Sequence, residues 1–402
     1  MRATVARADL ESALRGLKKV ASNKATLPVL SGAYMTVDVE AGELLATATD
    51  LDVTVTRRIA AEAGAELEAG AVVLGVDRLL KVLKGAKGIE AVTIYAETPA
   101  PAEGETEPGD PESAELTLGP TTVKVLGFPA PEFPSIRPAP APGLEIDAEA
   151  LVALDNRVRF CTSTDETRPS LNGVFVEVGD GQVLATATDG HRLVSAELPA
   201  RTNGLADKAV IVPPKALALA AAEAAADLKA ARKAKLPPAP VRFGYVEADG
   251  AGRVGFKIGL VTIVARALEG PFPNYRQVIP TPATWATFDR AALAGALDRV
   301  APLADTLTNQ VRLEVRKGRC KVAVSTPDVG EAWEYIDVDG GPAEFTAGYN
   351  GDYLAAALVH LPEGERIRVG WTKPVAAAVI EAAGDQGAQG VRSILMPLRL
   401  EK

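Results

Sequence analysis

The hexapeptide LATATD stands at residues 45–50 and again at 184–189, followed first by LDVTV and then by GHRLV. Each copy alternates in the manner of a strand and ends on an aspartate, a residue suited to open a turn. Asp50 and Asp189 lie 139 residues apart, and the same step leads on to Asp328, which closes VAVSTPD at 322–328. Other landmarks keep nearly that step, including PVLSGAYMTVDV (28–39) with PSLNGVFVEVGD (169–180), aligned on Gly32 and Gly173. The strand–turn–strand segment NQVRLEVRKGRCKVAVS (309–325) has the same form. A period this long means repeated whole domains, not the short units of a solenoid.

Working outward, each copy opens on a helix with one apolar stripe: Leu10, Leu14, Leu17 and Ala21; Leu151, Leu154, Val158 and Cys161; Leu293, Leu297 and Val300. Asp147 and Asp289 precede the second and third helices, where an N-cap belongs. A further strand–helix–strands segment follows in each copy, from AVVLGVDRLLKVLKGAKG (71–88), AVIVPPKALALAAAEAAADL (209–228) and AEFTAGYNGDYLAAALVHL (343–361). The second of these carries Pro213 and Pro214 at a helix entry, where proline is tolerated. The expectation is an α+β chain of three domains, 1–141, 142–281 and 282–402, each built from two β-α-β-β units. The junctions fall at FPSIRPAPAPGL (133–144) and FPNYRQVIPTPATW (272–285). Two segments interrupt the repeat: acidic TPAPAEGETEPGDPESAE (98–115), which reads as a loop tip, and Ala/Lys-rich 220–240, which reads as a helix extension.

Composition limits the function classes. The 402 residues are 47% hydrophobic and 24% charged, as expected of a folded soluble protein. No apolar run is long enough to span a bilayer, and the N-terminus lacks a signal-peptide pattern. Cys161 and Cys320, at no metal-ligand spacing, read as reduced core thiols of a cytoplasmic protein; no cofactor or metal is expected. A formal charge of −9 argues against a nucleic-acid partner until the positions of the basic residues are considered. Arg15, Lys18 and Lys19 lie off the leucine stripe of the first helix, Arg78, Lys81 and Lys84 recur every three residues, and Arg157 and Arg159 do likewise in the second copy. A solvated helix face explains any one such set; their recurrence on equivalent helices of an acidic chain suggests a positive lining for phosphates. Repeats with unpaired sheet edges, joined head to tail, must close on a partner or grow, and half of a ring completed by a second copy meets that need.

TSTDETRPSLNG, LATATDGHRL, PFPNYRQVIP and ILMPLRL, in that order and spacing, resemble the bacterial β sliding clamp family across almost the whole chain apart from the two insertions. The resemblance implies the DNA-clamp fold, a homodimeric ring of six similar domains with helices inside and sheets outside. Duplex DNA would thread the ring, a replicative DNA polymerase and other clamp-motif proteins would be tethered to it, and a clamp loader would open it. The family is not enzymatic. By motif match, the partner-peptide pocket would take Leu171, Thr188, Gly190, His191, Arg192 and Leu193, then Pro240, Arg242 and Phe243, then Asn350, Tyr353 and Val375. Ile394, Met396, Pro397, Leu398 and Arg399 would complete it. GHRL thus becomes a recognition feature added to one copy of a structural repeat. Lys24 and Arg168 fall at family positions facing DNA, although Pro169, Ser170 and Asp165 depart from some relatives' pattern. Val123, Pro302 and Leu303 are candidate ring-closing contacts, and Glu401 and Lys402 extend past the usual family end. Two rivals stay open: a clamp paralogue away from the main replication fork, and a hydrolase built on Asp189 and His191. The latter is poorly supported by two histidines, with no nucleophile elbow or phosphate-binding glycine loop.

Overall fold

The apolar stripes form helices and the alternating segments form strands. The computed structural model describes residues 1–22, 27–97, 112–179, 181–202, 204–205, 207–248, 250–384 and 390–400. Lys24, most of the acidic insertion and the terminal Glu401 and Lys402 lie outside the described residues. Six α-helices are present among those described: α1 (Arg7–Leu17), α2 (Val76–Gly85), α3 (Ala148–Val158), α4 (Pro214–Ala234), α5 (Arg290–Val300) and α6 (Gly351–His360). Each lies between strands, and among the described residues the series strand, helix, three strands runs twice through each repeat, with a two-residue strand, Arg201–Thr202, added in the middle one. The sequence reading of two strands after each helix is corrected to three. The turn after Asp50 or Asp189 leads straight into another alternating strand, Val53–Ala60 or Arg192–Pro199.

The stripes face inward as the periodicity requires. Leu10, Leu14 and Leu17 of α1, Leu151, Leu154 and Val158 of α3, and Leu293, Leu297 and Val300 of α5 are all buried. The two expected caps part company. Asp289 accepts a hydrogen bond from the Ala292 amide at 2.7 Å, whereas Asp147, also at the N-cap position, makes no side-chain cap bond. Cys161 falls in a 3-10 turn just beyond α3 and Cys320 in a strand; both are buried, and burial pushes each thiol up to about 12. Helix α4 has 21 residues against 10 in α2 and α6, and its buried positions stop at Ala224. Its second half is therefore the extension read from the Ala/Lys-rich segment. The acidic insertion ends earlier than the expected 115. Ser113–Leu118 is a strand with Ala114, Leu116 and Leu118 buried, so its alternation outweighs its acidity.

Compactness divides the chain differently from the repeat. One unit holds Met1–Gly143 with Ala226–Arg266, and the other holds Leu144–Ala225 with Ala267–Lys402. The reason lies in how strands pair across repeat borders. In the first unit, Val53–Ala60 pairs antiparallel with Val261–Arg266, Arg57 opposite Val261 and Val53 opposite Ala265. In the second, Arg192–Pro199 pairs antiparallel with Val391–Leu395, Arg192 opposite Leu395 and Ala196 opposite Val391, within a 12-stranded sheet. The middle repeat thus shares a sheet with the first repeat through Val241–Ala248, Ala251–Ile258 and Val261–Arg266, and one with the third through Val174–Val178, Gln182–Thr188, Arg192–Pro199 and Lys208–Val212.

Candidate peptide-docking groove

The duplicated hexapeptide is a turn-forming device. In the first copy Asp50 Oδ1 accepts from the amides of Asp52 (3.1 Å) and Val53 (2.8 Å), and Thr49 Oγ1 donates to the Val53 carbonyl (3.1 Å) while accepting from the Leu51 amide (3.1 Å). The second copy repeats all four bonds. Asp189 Oδ1 accepts from His191 (2.9 Å) and Arg192 (3.0 Å), and Thr188 Oγ1 donates to the Arg192 carbonyl (2.7 Å) and accepts from Gly190 (3.1 Å). The residue after the aspartate is left-handed in both, Leu51 at φ 82° and Gly190 at φ 94°. Thr-Asp is written twice because its hydroxyl and carboxylate satisfy the backbone groups of one tight turn. The third copy is only an approximate repeat. Its strand ends at Thr326, paired with Gly330, so the turn is one residue shorter than those between Thr49 and Thr54 or Thr188 and Leu193. Thr326 instead donates to the Leu303 carbonyl at 2.6 Å.

What distinguishes the second copy begins at Arg192. Its guanidinium bonds the second oxygen of Asp189 at 2.9 Å and the Phe160 carbonyl at 3.0 Å. It also lies over the Tyr353 ring at 4.2 Å from the centroid and faces Phe160 at 5.3 Å. Phe160 in turn stacks on His360, with centroids 4.1 Å apart. Tyr353 is placed by the cap of α6, where Asn350 Oδ1 accepts from the Tyr353 amide at 3.0 Å and Asn350 Nδ2 donates to the Thr308 carbonyl at 2.9 Å. Burial holds His360 below its usual pKa, helped by the charges of Arg192 and Arg159 and opposed by a bond to the Asn156 backbone.

The C-terminal strand Val391–Leu395 runs antiparallel beside Arg192–Pro199. Leu193 sits opposite Ile394, and both are buried in a cluster with Tyr275, Ala377 and Val379, packed by Phe175, Phe272, Ile279 and Trp285. Phe175 and Phe272 stack at 4.6 Å, and Tyr275 donates to Glu177 at 2.6 Å. Beyond that strand the Met396 amide donates to the His191 carbonyl at 3.0 Å, and Met396 is 42% exposed. The Leu398 amide donates to the Gly348 carbonyl at 2.8 Å, and the Arg399 carbonyl accepts from Gln310 at 2.9 Å, which tie the tail to the third repeat. The second unit therefore brings Thr188, Gly190, His191, Arg192, Leu193, Asn350, Tyr353, Ile394, Met396 and Leu398 into one bonded constellation, with Pro397 between two tethered residues. Val375 is 75% exposed, two residues from Ala377. Leu171 is buried in the turn Pro169–Leu171.

Pro240, Arg242 and Phe243 belong to the first unit, where Phe243 is a core residue packed on Phe256 at 5.0 Å. Arg168 pairs with Asp165 at 2.8 Å and lies against the Gly190 turn, where a Cβ on Gly190 would come within 3.1 Å of its guanidinium. Arg159 is engaged by Asp155 at 2.7 Å. Arg157 is half-buried, lines a cavity of about 560 Å³ with Glu149 and Glu197, and has its pKa lowered by burial. Arg15, Lys18, Lys19, Arg78, Lys81 and Lys84 are all exposed, and Lys18 pairs with Asp77 across α1 and α2. Val123 lies on Thr121–Phe128, a strand whose second edge pairs, among the described residues, at Gly127 and Phe128; Leu126 on the same strand is 65% exposed. Pro302 and Leu303 form a 3-10 turn after α5. Sequence reasoning missed Phe160, His360, Ala377 and Val379. Tyr275 and Phe272 lay in a quoted family motif, and His360 and Phe175 in quoted repeat segments, without their side chains being assigned.

Comparison with known proteins points one way. Three family models match in order: DNA polymerase III beta subunit, N-terminal domain, over residues 1–103; central domain, over 145–274; and C-terminal domain, over 276–399. The beta sliding clamps of Caulobacter vibrioides (strain NA1000 / CB15N) and Pseudomonas putida are 29% and 26% identical to this chain, each aligned over 100% of both chains. The solved DNA polymerase III subunit beta from Pseudomonas aeruginosa superposes with a TM-score of 0.84 at 25% identity, covering 100% of both chains. The C. crescentus beta sliding clamp gives 0.81 at 26% identity, covering 100% of this chain and 99% of that one.

Proposed function

We propose a specific docking role for this groove from one premise: the chain belongs to the family of DNA polymerase III beta subunits, the beta sliding clamps, and serves as a processivity clamp for a DNA polymerase. In this reading the groove around His191, Arg192, Tyr353 and Met396 takes an extended peptide from the polymerase, the clamp loader and other clamp-motif proteins. Adaptable Met396 and exposed Val375 offer apolar contacts, and His191 and Asn350 offer polar ones. The observation that carries it is the divergence of two otherwise identical turns. The Asp189 copy alone adds an arginine held between a carboxylate and an aromatic ring, and the C-terminal tail is bonded across it.

The groove is read as non-catalytic: Asp189 bonds two backbone amides and the Arg192 guanidinium, which supports a part in building the turn and holding the arginine. The same proposal keeps three domains meeting near 141 and 281, and two copies closing a ring around duplex DNA in the cytoplasm. Val123, Pro302 and Leu303 lie at the closure, supported by the open edge of Thr121–Leu126. The exposed basic residues of α1 and α2 would face the duplex.

The test is binding of a peptide bearing a polymerase's clamp motif to the double variant His191→Ala, Met396→Ala. An affinity loss of about a hundredfold is expected, with dimer mass unchanged, because truncating central anchors removes most of a short peptide's binding energy. Unchanged affinity would remove the assignment.

A further inference from the structure

Helix α4 outruns its counterpart α2, and the two helices carry their positive charge in different places. Aligned on their first residues, Val76 and Pro214, they set Arg78, Lys81 and Lys84 opposite Ala216, Leu219 and Ala222. The exposed basic positions of α2 are thus lost from the body of α4, where Ala216 and Leu219 are buried. Positive charge returns in the extension, which begins at Ala224 and has no counterpart in α2. Lys229, Arg232, Lys233 and Lys235 are exposed there. No acidic residue occurs from Leu228 to Val246, in a chain whose net charge is −9.

The extension ends in a closed cap. Lys235 is left-handed at φ 56°, the Leu236 amide donates to the Ala231 carbonyl at 3.0 Å, and the Lys235 amide donates to the Arg232 carbonyl at 3.3 Å. These are the paired bonds of a Schellman end. Asp227 Oδ2 accepts from the Ala239 amide at 2.8 Å, tying the proline-rich segment after the cap back to the helix. Arg232 has a partner of its own, but Lys229, Lys233 and Lys235 form no ion pair among the described residues. On α1, by contrast, Lys18 is paired with Asp77 and Arg15 with Glu11. A cation in the last helical turn eases the helix dipole, which accounts for Lys233 but not for Lys229 a turn earlier or Lys235 beyond the end. Apart from Leu236 at the cap, the residues among and after these lysines, up to Pro240, are alanine and proline with the engaged Arg232. They offer little of the large side-chain surface that anchors a peptide. Ammonium groups are hydrated point charges that meet phosphates without reading bases.

We propose that Lys229, Lys233 and Lys235 form a further phosphate contact for duplex DNA, carrying on the extension the positive face that the body of α4 lacks. The contact rests on the processivity-clamp reading and adds to the basic residues of α1 and α2. The test measures binding of the unloaded full chain to a short linear duplex across a salt series. The triple variant Lys229→Ala, Lys233→Ala, Lys235→Ala keeps good helix formers and should bind more weakly than the parent at low salt. Its slope of log affinity against log salt should be shallower by about 2–3, since each phosphate neutralised contributes about 0.9. The matching triple change to arginine should keep the parent slope. An unchanged slope in the alanine variant overturns the proposal. So does polyglutamate that binds as tightly as the duplex at equal charge and is lost with the same lysines, which would make the extension a dock for acidic protein segments. Loaded protein should stay on circular DNA at high salt in parent and variant alike. Loss of that retention in the parent would remove the clamp reading itself, whereas an unchanged slope with retention intact removes this contact alone.

Discussion

At residue scale the two turns give a controlled comparison, since their hydrogen bonds agree and their side chains do not. Leu51 occupies a left-handed position that a branched, Cβ-bearing residue adopts at a cost, whereas Gly190 occupies the same position without one. Leu51→Gly is therefore expected to raise unfolding free energy by up to about 1 kcal/mol, and Gly190→Ala to lower it by about the same, with the Arg168 guanidinium forced to shift. Urea denaturation of the two variants measures both signs, and matching signs would show that the turns are not equivalent. Arg192 is the other informative position. Its side chain is 18% exposed, pairs with Asp189, bonds a backbone carbonyl and covers an aromatic ring. Arg192→Ala leaves a half-buried carboxylate and a carbonyl without that partner, so a loss of about 1–3 kcal/mol is expected, discounted from a fully buried pair for residual solvent. A midpoint unchanged in urea would mean that the arginine is present for recognition alone.

At the scale of elements, the two N-caps make a paired test. Asp289→Ala should cost about 1 kcal/mol because it removes a bond to the Ala292 amide, while Asp147→Ala should cost a few tenths at most. Helix α6 carries a pH test at its other end. His360 is held below its usual pKa by burial, so the unfolded chain binds more protons between the two values and stability falls as pH drops through that window. His360→Phe preserves the stack on Phe160 and removes the titration. Its melting temperature should fall less than that of the parent between about pH 7 and about pH 5.5, around the ordinary imidazole value near 6.5. What was legible in the sequence divides along the same line. The helix stripes and strand alternations were readable because burial imposes periods of 3.6 and 2 on local sequence, and Leu10, Leu151 and Leu293 obey them. Arg192 was readable as a departure within a repeat. Phe160, His360 and Ala377 were not, because they join the groove through contacts between segments far apart in the chain, which leave no local period. Asp147 misled for a related reason: position alone does not decide whether a carboxylate turns toward the helix amides.

At the scale of the whole molecule, net charge and function are reconciled once the exposed basic residues are weighed by what they touch. Lys18 is paired with Asp77 and Arg15 with Glu11, so part of the positive face on α1 is already neutralised locally. Lys81 and Lys84 remain exposed on α2. Such a surface attracts phosphates weakly and without sequence preference, which suits a protein that must move along a duplex and would hinder one that must grip it. Retention then has to come from closure around the DNA rather than from contact energy. This has a measurable consequence. Protein loaded onto circular DNA should survive salt that strips ordinary phosphate-contact binders, and should leave when the circle is cut, because log affinity falls steeply with log salt only where counterion release supplies the binding. Lys81→Glu with Lys84→Glu should slow loading yet leave salt resistance on the circle intact. If that variant instead dissociates from intact circles as salt rises, contacts and not enclosure hold the protein. The ring-closing assignment of Val123, Pro302 and Leu303 would then fail with it, since a closed partner would have no retention left to explain.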